Sequence, residues 1–224
     1  MTDYQHDHER RERRNQAEAK LSLLSPKTTA RFCDEVLVNL LDAGWSEERV
    51  WDAAELHEFE SRFAAAYPIC VHEALLKFGG ITIGIDGRGI RIGSIVEYKY
   101  IFPDLLEQVV TTRLYPIGET DILCDDALGV MMDDAGHVYV DGLTSDSPPK
   151  DRCVGKVSSN FIGFLNAMFS DALGILEQTD WKYYSALDGK PNGSEQGANA
   201  PTSPSVFHAP SISNLNRAIN AGSR

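Results

Sequence analysis

Apolar residues recur at helical spacing through the first third of the chain and then shift to short runs and alternation. Ser25 and Pro26 make an N-cap and N1 pair, and Cys33, Val36, Leu37, Leu40 and Leu41 trace one face of the helix expected to follow. Gly44 is placed to end that helix as a C′ residue. A second helical stretch runs from about Ala53 to Ala65, with Leu56, Phe59 and Phe63 inward. Pro68 opens a third, whose Ile69, Ala74, Leu75 and Phe78 face the core before Gly79-Gly80 stops it. From Ile81 the period changes to that of strands. Ile81–Ile85 and Ile90–Ile95 flank Asp86-Gly87-Arg88-Gly89, a hairpin by its turn chemistry. Pro103 opens a short helix to about Thr112. Strands are then expected at Asp121 to Asp125, Gly129 to Met132 and Val138 to Val140, the last after the turn Asp134-Ala135-Gly136. Ser158 or Ser159 caps a final helix with Phe161, Ile162, Leu165, Met168 and Phe169 inward. Segregated helices and antiparallel strands make the class α+β; a parallel βαβ arrangement fits poorly.

The patterned region has unpatterned flanks. Residues 1–20 are charged throughout, with no apolar stripe to bury, and read as a solvated arm, frayed or loosely helical. Beyond Leu187 the chain turns to Gly, Ser, Asn and Pro and reads as a disordered tail, with Ile212, Leu215 and Ile219 at helical spacing near its end. The expected division is an arm at 1–20, a domain at 21–184 and a tail at 185–224. Apolar residues are 42% of the 224, enough for a real core. No stretch approaches the roughly 18 apolar residues of a membrane helix. The charged N-terminus is not a secretory signal, so the expected location is cytoplasmic.

Charge sharpens the picture. The arm is neutral and the tail carries +1, so the net charge of −12 places −13 on residues 21–184. Such a domain repels nucleic-acid backbones and anionic membranes and attracts basic partners. Neither nucleic acid nor membrane is an expected partner.

Candidate chemistry is sparse. Cys33, Cys70, Cys124 and Cys153 form no C-x-x-C pair and read as buried thiols. The glycines around Asp86 lie between two strands, where a phosphate cradle needs a helix N-terminus. No zinc-hydrolase histidine pairing, G-x-S-x-G elbow or thiol-protease signature occurs. The chain is therefore expected to be non-enzymatic, without cofactor or metal. Asp125, Asp126, Asp133 and Asp134 are the densest carboxylate cluster. They could be solvated turn residues, a charged rim that meets a partner, or a divalent-cation site, although the alternating ligands, Gly and terminal Glu of a common calcium loop are missing.

Several ordered elements resemble the third subfamily of the SUKH superfamily, bacterial immunity proteins of polymorphic toxin systems. They are Leu40-Leu41-Asp42-Ala43-Gly44-Trp45 with Arg49 after it, Leu75-Leu76-Lys77-Phe78-Gly79-Gly80-Ile81, Tyr115-Pro116-Ile117-Gly118, and Met131 to Tyr139 including Asp133, Gly136 and His137. The final helix from Phe161 to Leu173 closes the resemblance, which covers about residues 30 to 176. It implies a central, mainly antiparallel sheet with flanking helices. It also implies binding and neutralising a cognate toxin, often a nuclease or deaminase, which the acidity of the domain suits. An adaptor role on the same fold is the alternative. Gly44, Trp45, Arg49, Phe78, Gly79, Gly80, Pro116, Gly118, Gly136 and Tyr139 read as fold-defining, with Arg49 expected to pair with a buried carboxylate or carbonyl.

Overall fold

A computed structural model describes residues 3–63, 66–85, 88–94, 103–122, 128–141, 153–170, 174–175, 178–185 and 190–192. Five helices come first: α1 (Asp3–Leu21), α2 (Pro26–Thr29), α3 (Asp34–Asp42), α4 (Ala53–Ser61) and α5 (Ile69–Phe78). The strands are β1 (Ile81–Ile85), β2 (Arg88–Ile92), β3 (Tyr115–Thr120), β4 (Leu128–Met132), β5 (Val138–Asp141), β6 (Cys153–Ser158), β7 (Trp181–Ser185) and β8 (Lys190–Asn192). Helix α6 (Pro103–Val110) lies between β2 and β3, and α7 (Phe161–Ser170) between β6 and β7. The strands form one antiparallel sheet in sequence order, each paired with its chain neighbour. This is the expected α+β class with an antiparallel sheet. β3, β4 and β5 are buried along their whole length, so both faces of the sheet centre are covered.

The helical region departs from expectation in an instructive way. The single helix read from Ser25 to Leu41 is two. Ser25 does cap α2, its hydroxyl accepting from Thr28 N, but the chain breaks before α3. Asn166 of α7 fills that break: its Oδ1 accepts from Cys33 N at 2.9 Å and its Nδ2 donates to Arg31 O at 2.8 Å. The groups that a break in a helix orphans are thereby satisfied from another element. At the other end of α3, Gly44 at φ +82° lets Trp45 N reach Leu40 O and Gly44 N reach Leu41 O, the paired bonds of a Schellman stop.

Other boundaries also moved. Helix α4 ends at Ser61, and Phe63 packs on the core from beyond it. Ile69 is 78% exposed rather than inward. The hairpin register runs to Ile85↔Arg88, so Arg88 and Gly89 belong to β2 and not to the turn. Of the strand expected at Asp121 to Asp125, Asp121 and Ile122 lie beyond the end of β3 and residues 123–125 lie outside the described residues; β4 pairs instead with an earlier segment. The partner is Tyr115–Thr120, with a bulge between Pro116 and Gly118. Pro116 lies beyond the β2 pairing, where its missing N–H costs no ladder bond. Asn160, not Ser158 or Ser159, caps α7, its Oδ1 accepting from Gly163 N at 2.8 Å. Cys153 is buried, whereas Cys33 and Cys70 are only partly so.

The flanks of the expected domain take part in the fold. Residues 3–21 form α1, which packs along α3 and buries Ala17. β7 and β8 carry the sheet past residue 184, to Asn192. Residues 193–224, Cys124, and the turn pair 86 and 87 lie outside the described residues.

Candidate functional site

Asp125 and Asp126 lie outside the described residues. Asp133 and Asp134 sit side by side at the β4–β5 turn, yet Asp133 is 4% exposed and Asp134 is exposed. One Asp133 oxygen accepts from Ala135 N and His137 N, both at 2.9 Å. The other accepts from His137 Nδ1 at 2.8 Å and the Tyr139 hydroxyl at 3.0 Å. Burial pushes the Asp133 carboxyl up, but the hydrogen bonds from His137 and Tyr139 and the charge attraction of His137 outweigh it, leaving the carboxyl below its usual value. Burial and the bond to Asp133 push the Tyr139 phenol up to about 12. Asp133 thus organises the turn that presents Asp134. The Asp134 carboxylate accepts the Tyr115 hydroxyl at 2.9 Å, and burial followed by that bond raises the Tyr115 phenol.

A second set of carboxylates lies across the sheet. The register places Arg91, Glu119 and Gly129 in one row over β2 to β4, and the Asp141 side chain of β5 reaches the Gly129 end of that row. Glu119 and Asp141 are buried, and both are compensated. Arg91 Nε donates to Glu119 at 2.7 Å while its two Nη atoms grip Asp121, and Asp141 Oδ1 accepts from Gly129 N at 2.8 Å. Paired in this way, buried charge is tolerable. Among the described residues no group of three or more His, Cys, Asp and Glu side chains is placed to hold a metal ion.

The sequence elements around Trp45 and Gly79-Gly80 meet at the junction of α3, α5 and β1. Trp45 is buried and stacks on Phe78, with centroids 6.0 Å apart and planes 4° from parallel. Arg49 Nη2 donates to Gly79 O at 3.0 Å, tying the loop after Trp45 to the end of α5. Pro116 O accepts the Tyr67 hydroxyl at 2.7 Å. Gly118 lies so close to β2 that a Cβ on it would stand 2.1 Å from Arg91 O. Gly136, at φ +84°, brings the β4–β5 turn beside Cys70.

The sequence reading missed Trp51, although the glycines serve it. A Cβ at Gly79 would lie 2.0 Å from Trp51 Cε3, and one at Gly93 would lie 2.4 Å from Cη2. Trp51 N donates to Leu76 O at 2.8 Å, and its indole N–H donates to Glu55 Oε2 at 2.6 Å. No local pattern marks which tryptophan a distant glycine faces. The Asp133 hub did carry a signal: an aspartate whose side chain accepts from the N–H two residues on makes an Asx-turn.

Between α2, α5, the β4–β5 turn and the start of α7 lies a cleft of about 480 Å³. Phe32, Trp45, Phe78 and Phe161, all buried, form its aromatic floor. On the α2 side, Glu47 accepts hydrogen bonds from Ser25 Oγ at 2.6 Å and from the Thr28 hydroxyl, which together hold its carboxyl below the usual range. The arrangement offers an apolar surface with a charged edge, which suits binding.

Neither the curated proteins nor the solved structures include a match to this chain. A family model does match. The SUKH-3 immunity protein model covers residues 32–168, from the loop before α3 into α7, leaving α1, α2, β7 and β8 outside it. Those residues make up more than half of the chain and contain the Trp45 junction, the Asp133 hub and most of the cleft. The chain belongs to the SUKH-3 immunity protein family.

Proposed function

We propose that this protein binds a cognate polymorphic toxin, a nuclease or deaminase, and neutralises it by protein–protein contact in the cytoplasm, without turnover. Membership of the immunity family over residues 32–168 is the observation that carries the reading. The net charge of −13 on residues 21–184, within the total of −12, supports a basic toxin as the partner. A surface of that sign speeds encounter with a basic protein and competes with a polyanionic substrate for its cleft. Asp134, exposed on a turn that Asp133 locks, is the described carboxylate best placed to contribute, with Asp125 and Asp126 proposed beside it. Asp133 acts indirectly, by holding the turn.

The test is co-expression of the full chain with individual toxin domains from polymorphic systems in a sensitive host, followed by purified-component inhibition. Neutralisation of one toxin, reaching a sharp stoichiometric endpoint, supports the reading. Association should slow steeply as salt rises. Sub-stoichiometric destruction of the toxin or of its product points instead to an enzyme, and indifference to every toxin points to the adaptor role.

A further inference from the structure

We propose that the aromatic-floored cleft receives a loop of the partner protein carrying one apolar anchor, aromatic or long aliphatic, beside a basic side chain. This rests on the immunity reading and adds the surface and the chemistry that the partner presents. The cleft's volume of about 480 Å³ falls within the range of sites that enclose a ligand, and it exceeds the needs of a single side chain. Its floor is already set. Trp45 lies flat on Phe78, and Phe78 packs on Phe161 with centroids 5.3 Å apart, so an entering apolar group meets surface that needs no reordering. Apolar surface also extends onto the rim. Helix α5 turns Cys70, Glu73, Ala74 and Lys77 into the cleft, and Ile69, 78% exposed, stands one turn before Glu73.

Charge orients the occupant. Lys77 Nζ reaches the carbonyls of Glu47 and Arg49 at 3.4 and 3.5 Å, directing that cation onto the neighbouring loop. Glu73 is exposed on the cleft wall with no hydrogen bond or ion pair among the described residues, and Asp134 is exposed on the turn that Cys70 touches. A lysine or arginine next to the partner's anchor meets these carboxylates. On the α2 side Arg31 stands with Glu47, whose carboxylate is taken up by Ser25 and Thr28, so the α5 and turn side attracts the basic residue and sets the direction of the loop. The α2 wall precedes residue 32, where the family match begins, and Glu47 fastens it through Ser25 and Thr28.

The experiment pans a random peptide library displayed on phage against the full chain. The best peptide is then titrated by fluorescence polarisation with the wild type, Glu73→Lys and Ala74→Phe. Enriched peptides should share an apolar anchor adjacent to Lys or Arg. Ala74→Phe, which puts a ring into the cleft, should weaken binding about tenfold or more. Glu73→Lys, at an exposed position that leaves the core untouched, should weaken it about tenfold, and exchanging the peptide's basic residue for Glu should recover binding to that variant. No enrichment, enriched peptides without the pattern, or undiminished binding to Glu73→Lys overturns the proposal. Toxin protection separates the two readings. If both variants neutralise a toxin as fully as the wild type, the cleft is not the docking site although immunity holds. If the wild type neutralises no toxin, immunity fails, and the peptide titrations still decide the cleft.

Discussion

Removing the Asp133 carboxylate should cost far more than its place in an aspartate pair at a turn suggests. Four donors converge on it at 2.8–3.0 Å, two from the backbone and two from side chains, and the residue is 4% exposed. Asp133→Ala leaves the buried Tyr139 hydroxyl and two turn amides without their acceptor. Breaking a buried charged network by deleting one partner costs about 3–5 kcal/mol. For a domain of this size that is a fall in Tm of about 6–20 °C. Asp133→Asn keeps one oxygen for the two amides and should cost about 1–2 kcal/mol. The pH dependence follows from the direction of the Asp133 shift. Its folded carboxyl lies below the ordinary value of 3.8, so its stabilisation is present above the unfolded pKa and is lost as pH falls through the folded one. The gap between wild type and Asp133→Asn should therefore be full at pH 7 and close progressively below about pH 4. Thermal and urea unfolding by circular dichroism across pH measures both effects. An Asp133→Ala variant melting within about 2 °C of wild type, or a gap that does not narrow between pH 7 and about pH 2, would refute the reasoning.

On the alkaline side the sign reverses for Tyr139. Its folded phenol is raised from 10.0 to about 12, so about 3 kcal/mol of stability is present below pH 10 and lost as pH climbs towards 12. Tyr139→Phe should lack that limb in an unfolding titration. Trp45→Ala empties a buried aromatic site stacked on Phe78 and should cost about 3–5 kcal/mol; a normally folded variant with impaired binding would make Trp45 a contact residue instead. Gly93→Ala combines a φ of +72° with a Cβ 2.4 Å from the Trp51 ring, and should lower Tm and change Trp fluorescence, whereas Gly44→Ala, with nothing within 4 Å, bears only the backbone strain. Asparagine at Asp125, Asp126 and Asp134 together should slow toxin association and flatten its salt dependence while leaving Tm unchanged, as read by stopped-flow mixing and calorimetry.

The hydrophobic period and the turn residues were enough to place most helices, the β1–β2 hairpin and the antiparallel character of the sheet. Those features report how a few neighbouring side chains divide between core and water, which is local information. Motif order around Trp45, Gly79-Gly80 and Asp133 to Tyr139 carried the family, and counting charge along the chain isolated the acidic domain. Tertiary structure decided the rest. The break between α2 and α3 depends on Asn166, 133 residues beyond Cys33, supplying both bonds that close it. Trp51 gains its place only where the end of α5 and the end of β2 offer it three bare glycines, Gly79, Gly80 and Gly93. β3 lies at Tyr115–Thr120 because both its faces are covered there, so the alternation that marks a half-exposed strand is absent. Of two adjacent aspartates, Asp133 turned inward because the amides and hydroxyl that could satisfy a buried carboxylate converge on it, and Asp134 remained at the surface. The cleft belongs wholly to this second kind of information. Its walls come from four elements far apart in sequence, and only their packing brings an aromatic floor and a charged rim together.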